Sequence, residues 1–239
     1  MRDGWKTGLV VLSAVLIGLT AALGPKLLHN ANPPVYSPSL QDLRAQSVMI
    51  EVDGIGHGSG FIYSPTEVMT VAHVVRNAKK IILTFLNGET IEASVEWTSK
   101  KADVALLKFI LVHPMNFYYA PAKIACNHKL VAGEDITVIG SPLQVQFGVS
   151  RGEVMSDKPL WLPKGPPTTG PQIDTLVPYT AVTAPGSSGG PVFNKDGYVI
   201  GLVDAILNEV FGSDIASMQA STINLYVPEK FFCGSELRA

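Results

Sequence analysis

Charge is scarce in this chain. Asp, Glu, Lys and Arg make up 16% of its 239 residues, against about a quarter of an average soluble domain. The formal net charge is −2, and beyond the first 34 residues 15 basic side chains face 19 acidic ones. Nucleic-acid binding needs a basic patch, so that class of partner is not expected. Cysteine is nearly absent. Cys126 and Cys233 are too few for a disulfide framework. Two readings stay open for them, one bridge if the chain is exported or two buried or free thiols. No His or Cys spacing suits a metal site. His113 and His128 stand alone as loop or surface residues, so neither metal nor other cofactor is implied. A long amphipathic helical pattern is also missing, which excludes bundle folds.

Charge is entirely missing from Thr7 to Gly24, an 18-residue apolar stretch. As a helix it would reach roughly 27 Å, close to the thickness of a bilayer's hydrocarbon core. Residues 1–27 are therefore expected to be either an uncleaved membrane anchor or a secretory signal segment. Arg2 and Lys6 before it and Lys26 after it leave its orientation unassigned. Residues 28–40, rich in Pro, Asn and Ser, read as a linker. Residues 41–239 are expected to form the folded domain.

Within that domain, alternation and β-branched content mark twelve short strands, near 47–52, 58–63, 67–72, 80–86, 90–97, 103–109, 135–140, 147–155, 175–180, 190–194, 198–207 and 222–227. Asn87-Gly88 and Lys195-Asp196-Gly197 are hairpin signals. A connector around 110–133 divides the strands six and six. Residues 156–174 hold five prolines and two glycines, so no strand runs through them. They form a long loop, either regulatory or merely mobile.

Chemistry concentrates in Gly186-Ser187-Ser188-Gly189-Gly190-Pro191. Glycines permit positive φ and close backbone approach. Such a turn holds the Ser188 hydroxyl outward and aims the N–H groups of Gly186 and Ser188 at one point, as an oxyanion hole requires. A serine hydroxyl is a weak nucleophile and needs a base. His73 ends an apolar run, Val68-Met69-Thr70-Val71-Ala72-His73, and Asp103 opens another, Asp103-Val104-Ala105-Leu106-Leu107. Alone, each reads as a core histidine or a strand cap. In the order His73, Asp103, Ser188 they suit a base, its orienting carboxylate and a nucleophile.

These motifs resemble the trypsin-like serine peptidases, most closely the HtrA/Deg branch, which has Asn where Ser187 stands. Gly58-Ser59-Gly60-Phe61, Ile139-Gly140-Ser141-Pro142 and Gly197-Tyr198-Val199-Ile200-Gly201-Leu202 extend the similarity from about Ser47 to Phe231. The resemblance implies an all-β fold of two six-stranded antiparallel barrels, about 41–130 and 131–232, with the site between them. It implies a serine endopeptidase acting on protein or peptide substrates, anchored in a membrane with the domain outside the cytoplasm or exported after signal cleavage. Any oligomer is unreadable. No carboxy-terminal PDZ module is expected. Val182, Thr183, Ala184, Ala205 and Ile206 would line an apolar pocket favouring small or aliphatic side chains. The alternative is a pseudo-peptidase that keeps the fold as a binding or assembly module. One departure supports it. Asp204 stands where the family usually has Ser or Thr beside the triad carboxylate. It is expected to turn to solvent or to a backbone donor, the other possibility being that it points at Asp103 and weakens or tunes the triad.

Overall fold

The computed structural model describes residues 38–99, 102–111, 120–160, 176–206 and 223–233. Residues 1–37, with the expected apolar segment and nearly all of the linker, lie outside these. Among the described residues no helix is long and apolar enough to cross a membrane.

Ser39 caps a short helix, α1 (Leu40–Ala45). Its hydroxyl accepts from the Asp42 N–H while the Asp42 carboxylate accepts from the Ser39 N–H. This reciprocal cap starts structure at the end of the expected linker. The first six strands are β1 (Ser47–Val52), β2 (Gly56–Ser64), β3 (Glu67–Val71), β4 (Ile81–Thr84), β5 (Thr90–Ser99) and β6 (Val104–Phe109). They close into an antiparallel barrel in the order β1-β2-β3-β6-β5-β4. The second six are β7 (Asp135–Gly140), β8 (Gly148–Glu153), β9 (Val177–Tyr179), β10 (Pro191–Asn194), β11 (Val199–Ile206) and β12 (Asn224–Pro228). Their order is β8-β7-β10-β11-β12-β9. Both hairpin signals fall between paired strands, β4 with β5 and β10 with β11.

The second unit departs from the expected closed barrel. Its outer strands, β8 and β9, meet only at the isolated bridge Val154↔Tyr179, with the Thr180 N–H on the Glu153 carbonyl and the Met155 N–H on the Pro178 carbonyl. β9 has three residues, and Pro178 at its centre has no N–H to give a ladder.

The seam between the two units explains the apolar runs. In β3, Val68 faces the inside of the first barrel, while Met69 and Val71 face a cluster shared with Phe193, Leu202 and Leu225 of the second unit. In β6, Ala105 and Leu107 face inward and Val104 and Leu106 face the seam. A strand buried on both faces loses its polar alternation. Fully burying each of these large side chains contributes about 1.5–3 kcal/mol.

The connector returns to the second sheet by a parallel bridge, Ile124↔Val199. The chain end follows β12 through Glu229, whose carboxylate accepts the His128 N–H at 3.1 Å. Cys126 and Cys233 are thereby brought to a Cα separation of 5.6 Å and joined in a disulfide, which sets aside the two-thiol reading. His128, expected to be isolated, is half-buried with Nε2 2.8 Å from Glu134. His113 lies outside the described residues.

The disulfide closes a sequence separation of 107 residues. Chain-entropy reasoning gives a loop of that size about 4–5 kcal/mol of stabilisation. Thermal unfolding with and without reductant, or of Cys126→Ser/Cys233→Ser, is expected to show a melting temperature lower by roughly 10 °C.

Candidate active site

His73 and Asp103 are neighbours because β3 and β6 pair. The register ends at Val71↔Val104, and the Ala72 N–H donates to the Asp103 carbonyl at 2.8 Å. Asp103 sits at φ 50, a left-handed conformation that Asp tolerates, and is 1% exposed. Its Oδ2 lies 2.5 Å from His73 Nδ1. That contact places the proton on Nδ1 and leaves Nε2 as the lone-pair nitrogen. The ring is about one-third exposed.

Asp204 does not turn to solvent. It is buried, with Oδ1 3.6 Å from His73 Nδ1. A bulge in β11 is the cause. The pairing of β11 with β12 shifts between Val203 and Ala205, so Asp204 drops out of the ladder and its side chain is re-aimed at the seam. Two carboxylates thus flank one imidazole. Burial draws the His73 pKa down, but the Asp103 hydrogen bond and the charges of Asp103 and Asp204 outweigh it, with Arg76 opposing, and the net shift is upward from 6.5. His73, Asp103 and Asp204 are also a group whose ligand atoms lie within metal reach, at most 4.8 Å apart. The imidazole nitrogen on that side is already engaged by Asp103.

The loop bearing Ser188 is held carbonyl by carbonyl. The Pro185 carbonyl accepts the Leu143 N–H at 2.8 Å. The Gly186 carbonyl accepts the Ser59 hydroxyl at 2.7 Å. The Ser187 carbonyl accepts the Gly190 N–H at 2.9 Å, and the Ser188 carbonyl accepts the Ser59 N–H at 2.8 Å. In a planar trans peptide the N–H points opposite to the carbonyl, so fixing these oxygens fixes the N–H groups. Among the described residues, no hydrogen bond takes the N–H of Gly186 or of Ser188. The turn needs glycine twice. Gly186 has φ 97 and Gly189 φ 82, and a Cβ on Gly189 would strike the Thr70 hydroxyl and the Ser59 carbonyl. Ser188 is half-buried, and its hydroxyl donates weakly to the Asp204 backbone carbonyl at 3.4 Å.

Sequence reasoning gave Ser59, Ser141 and Leu143 no role. Ser59 is fully buried in β2; besides its donation to Gly186, its Oγ accepts the Ser141 N–H at 2.8 Å. Gly58-Ser59-Gly60 and Gly140-Ser141 were the only signals of it. On the other flank Val182 is exposed, while the Thr183 hydroxyl bonds Asn224 Oδ1 at 2.6 Å and Asn224 Nδ2 donates to the Ala181 carbonyl at 2.8 Å. Asn224 is a fourth unforeseen residue, and it shapes the segment Ala181–Ala184. Ala205 and Ile206 continue β11 by pairing with Leu225 and Asn224, and their side chains lie outside the described set. The 156–174 loop is pinched at its base by Leu160↔Leu176, with its middle outside the described residues.

Residues 58–202 match the trypsin-like peptidase domain family. A Pseudomonas putida protein described as a "Probable periplasmic serine endoprotease DegP-like" is 35% identical over 159 residues, 65% of this chain and 30% of that protein. Serine protease HTRA1A of Danio rerio is 32% identical over 153 residues, 62% of this chain and 30% of its own. The chain thus spans about a third of the length of these curated relatives. Among solved structures, the Rv3671c protease of Mycobacterium tuberculosis in an inactive form superimposes with a TM-score of 0.65 at 23% identity, over 90% of this chain and 96% of that one. An HtrA-type protease, AlgW with a tripeptide, gives 0.65 at 19% identity, over 82% and 61%.

The flanking carboxylates make a direct prediction. Nuclear magnetic resonance titration of the His73 ring is expected to show a midpoint above 6.5. In Asp204→Asn that midpoint moves to lower pH, because a negative charge favouring the imidazolium is gone. An unmoved midpoint would mean that Asp204 does not act on the ring.

Proposed function

The chain belongs to the trypsin-like peptidase family, and from that premise we propose that it is a serine endopeptidase of the HtrA kind, cleaving peptide bonds through an acyl-enzyme. Ser188 Oγ attacks the scissile carbonyl. His73 Nε2 takes the hydroxyl proton and later gives it to the departing amine. Asp103 holds the Nδ1 proton and so sets the tautomer. The N–H groups of Gly186 and Ser188 stabilise the oxyanion. A water, deprotonated by His73, then releases the acyl group and restores Ser188. The observation that carries this reading is the clamped backbone of 185–188, whose two unengaged N–H groups flank the serine. In this structure the Ser188 hydroxyl is on the Asp204 carbonyl, and catalytic hydrogen bonds commonly tighten only with substrate bound.

Val182, Thr183, Ala184, Ala205 and Ile206 form the flank for the acyl side of the substrate. None is charged, and a lysine or arginine side chain would be buried there unpaired, so the pocket takes small or aliphatic residues. Residues 41–239 act as the peptidase domain, 28–40 as its tether and 1–27 as anchor or signal. The domain works outside the cytoplasm, where the periplasmic description of the DegP-like relatives and the Cys126–Cys233 bridge both fit.

Ser188→Ala is expected to abolish cleavage of a casein or valine-containing peptide substrate to background, with its melting temperature within a few degrees of the parent's. A fluorophosphonate probe is expected to label the parent and not the variant. Near-parental cleavage by folded Ser188→Ala would reject the assignment, and an unlabelled parent would favour the pseudo-peptidase.

A further inference from the structure

A cavity of about 230 Å³ opens beside the oxyanion turn, between the β1–β2 hairpin and residues 142–147. It is lined by Met49, Glu51, Ile55, His57, Gln144 and Gln146, with no lysine or arginine in its wall. That volume suits one side chain better than a small-molecule ligand.

Three observations join it to the reaction centre. The His57 ring packs against the α-carbon of Gly186. His57 Nε2 accepts the Gln144 N–H at 3.3 Å. The neighbouring Leu143 N–H holds the Pro185 carbonyl. The wall is itself unusual, since Leu143, Gln144 and Phe147 all have positive φ, at 48, 67 and 54. Non-glycine residues in that region are strained and cluster at functional sites. The cavity shares no lining residue with Ala181–Ala184, which is tied instead to Asn224 of β12. A substrate with its acyl part over 181–184 therefore sends its leaving-group part past Gly186 toward His57.

Glu51 gives the cavity its chemistry. It stands across the ladder from His57 and is half-buried. Among the described residues no hydrogen bond or ion pair engages its carboxylate. The side-chain amides of Gln144 and Gln146 add further acceptors. Ile55 at the hairpin tip and Leu143 and Val145 on the turn are largely exposed, and they can cover the aliphatic stem of a long side chain. A cation beside a half-buried carboxylate completes an ion pair that is screened less than one at the open surface.

We propose that this cavity is a leaving-group-side subsite that selects a lysine or arginine among the residues following the scissile bond, with Glu51 as the specificity-determining residue. The proposal rests on the serine endopeptidase reading. The test is cleavage-site profiling of a peptide mixture that keeps valine on the acyl side and varies the three residues after the bond. The parent enzyme is expected to favour Lys or Arg over Glu at one of those positions by about tenfold in kcat/KM, the scale of a well-placed charge pair. In Glu51→Gln the preference falls to within about twofold, and in Glu51→Lys it reverses toward Asp or Glu. Valine remains preferred on the acyl side throughout. A parent profile flat or acidic at all three positions, or one unchanged in both variants, overturns the proposal while leaving the triad standing. Cleavage persisting in Ser188→Ala overturns the triad and this subsite with it.

Discussion

The hydroxyl of Ser59, on a strand of the first barrel, donates to the carbonyl of Gly186 in the second unit and accepts the N–H of Ser141. Its backbone N–H reaches the Ser188 carbonyl, and its own carbonyl accepts the Thr70 hydroxyl. One small buried residue therefore holds the loop of the proposed nucleophile, the segment after β7 and the strand that leads to His73. Buried polar groups of this kind are expensive unless every one is partnered. Here three of the four partners are backbone groups, and the fourth is the Thr70 hydroxyl. The arrangement converts the packing of two sheets into the fixed direction of two N–H vectors, the preorganisation that the proposed oxyanion hole needs.

That constraint explains why the seam is so apolar. Met69, Val71, Val104 and Leu106 turn their backs on the first barrel and join Phe193, Leu202 and Leu225. Excluding water from the seam strengthens the hydrogen bonds that cross it and raises the effect of Asp103 and Asp204 on His73. It also makes the proposed catalytic geometry depend on docking of the two units, since His73 and Asp103 come from one and Ser188 from the other.

Much of this was legible in the sequence, and the failures have identifiable causes. The twelve strands appear in the expected order because β-branched runs bounded by turn residues survive in any context. His73, Asp103 and Ser188 stand out in the sequence because each sits near a strand end with a distinctive neighbour; of the three, the structure places His73 and Asp103 in contact. Asp204 was misread because a bulge moves it by one register position, and a bulge leaves no mark in alternation. Ser59 lay in plain view, yet the need for it arises only when the Gly186 carbonyl arrives from 127 residues away. The disulfide was undecidable because two lone cysteines have no spacing to interpret. The incomplete second barrel follows from Pro178 and a three-residue strand, a matter of hydrogen-bond supply that apolar content does not report.

The central claim is that the first barrel, through Ser59, fixes the backbone on which the proposed chemistry depends. Steady-state kinetics of Ser59→Ala on a peptide substrate, well below the melting transition of the variant, tests it most directly. The account predicts a kcat lower by roughly tenfold to a hundredfold, less than the loss of a whole oxyanion donor, with KM changed by no more than about threefold, because the substrate flank at 181–184 is tied to Asn224 and not to Ser59. A folded Ser59→Ala enzyme with parental kcat would show that the loop holds its shape without the barrel, and would contradict the account.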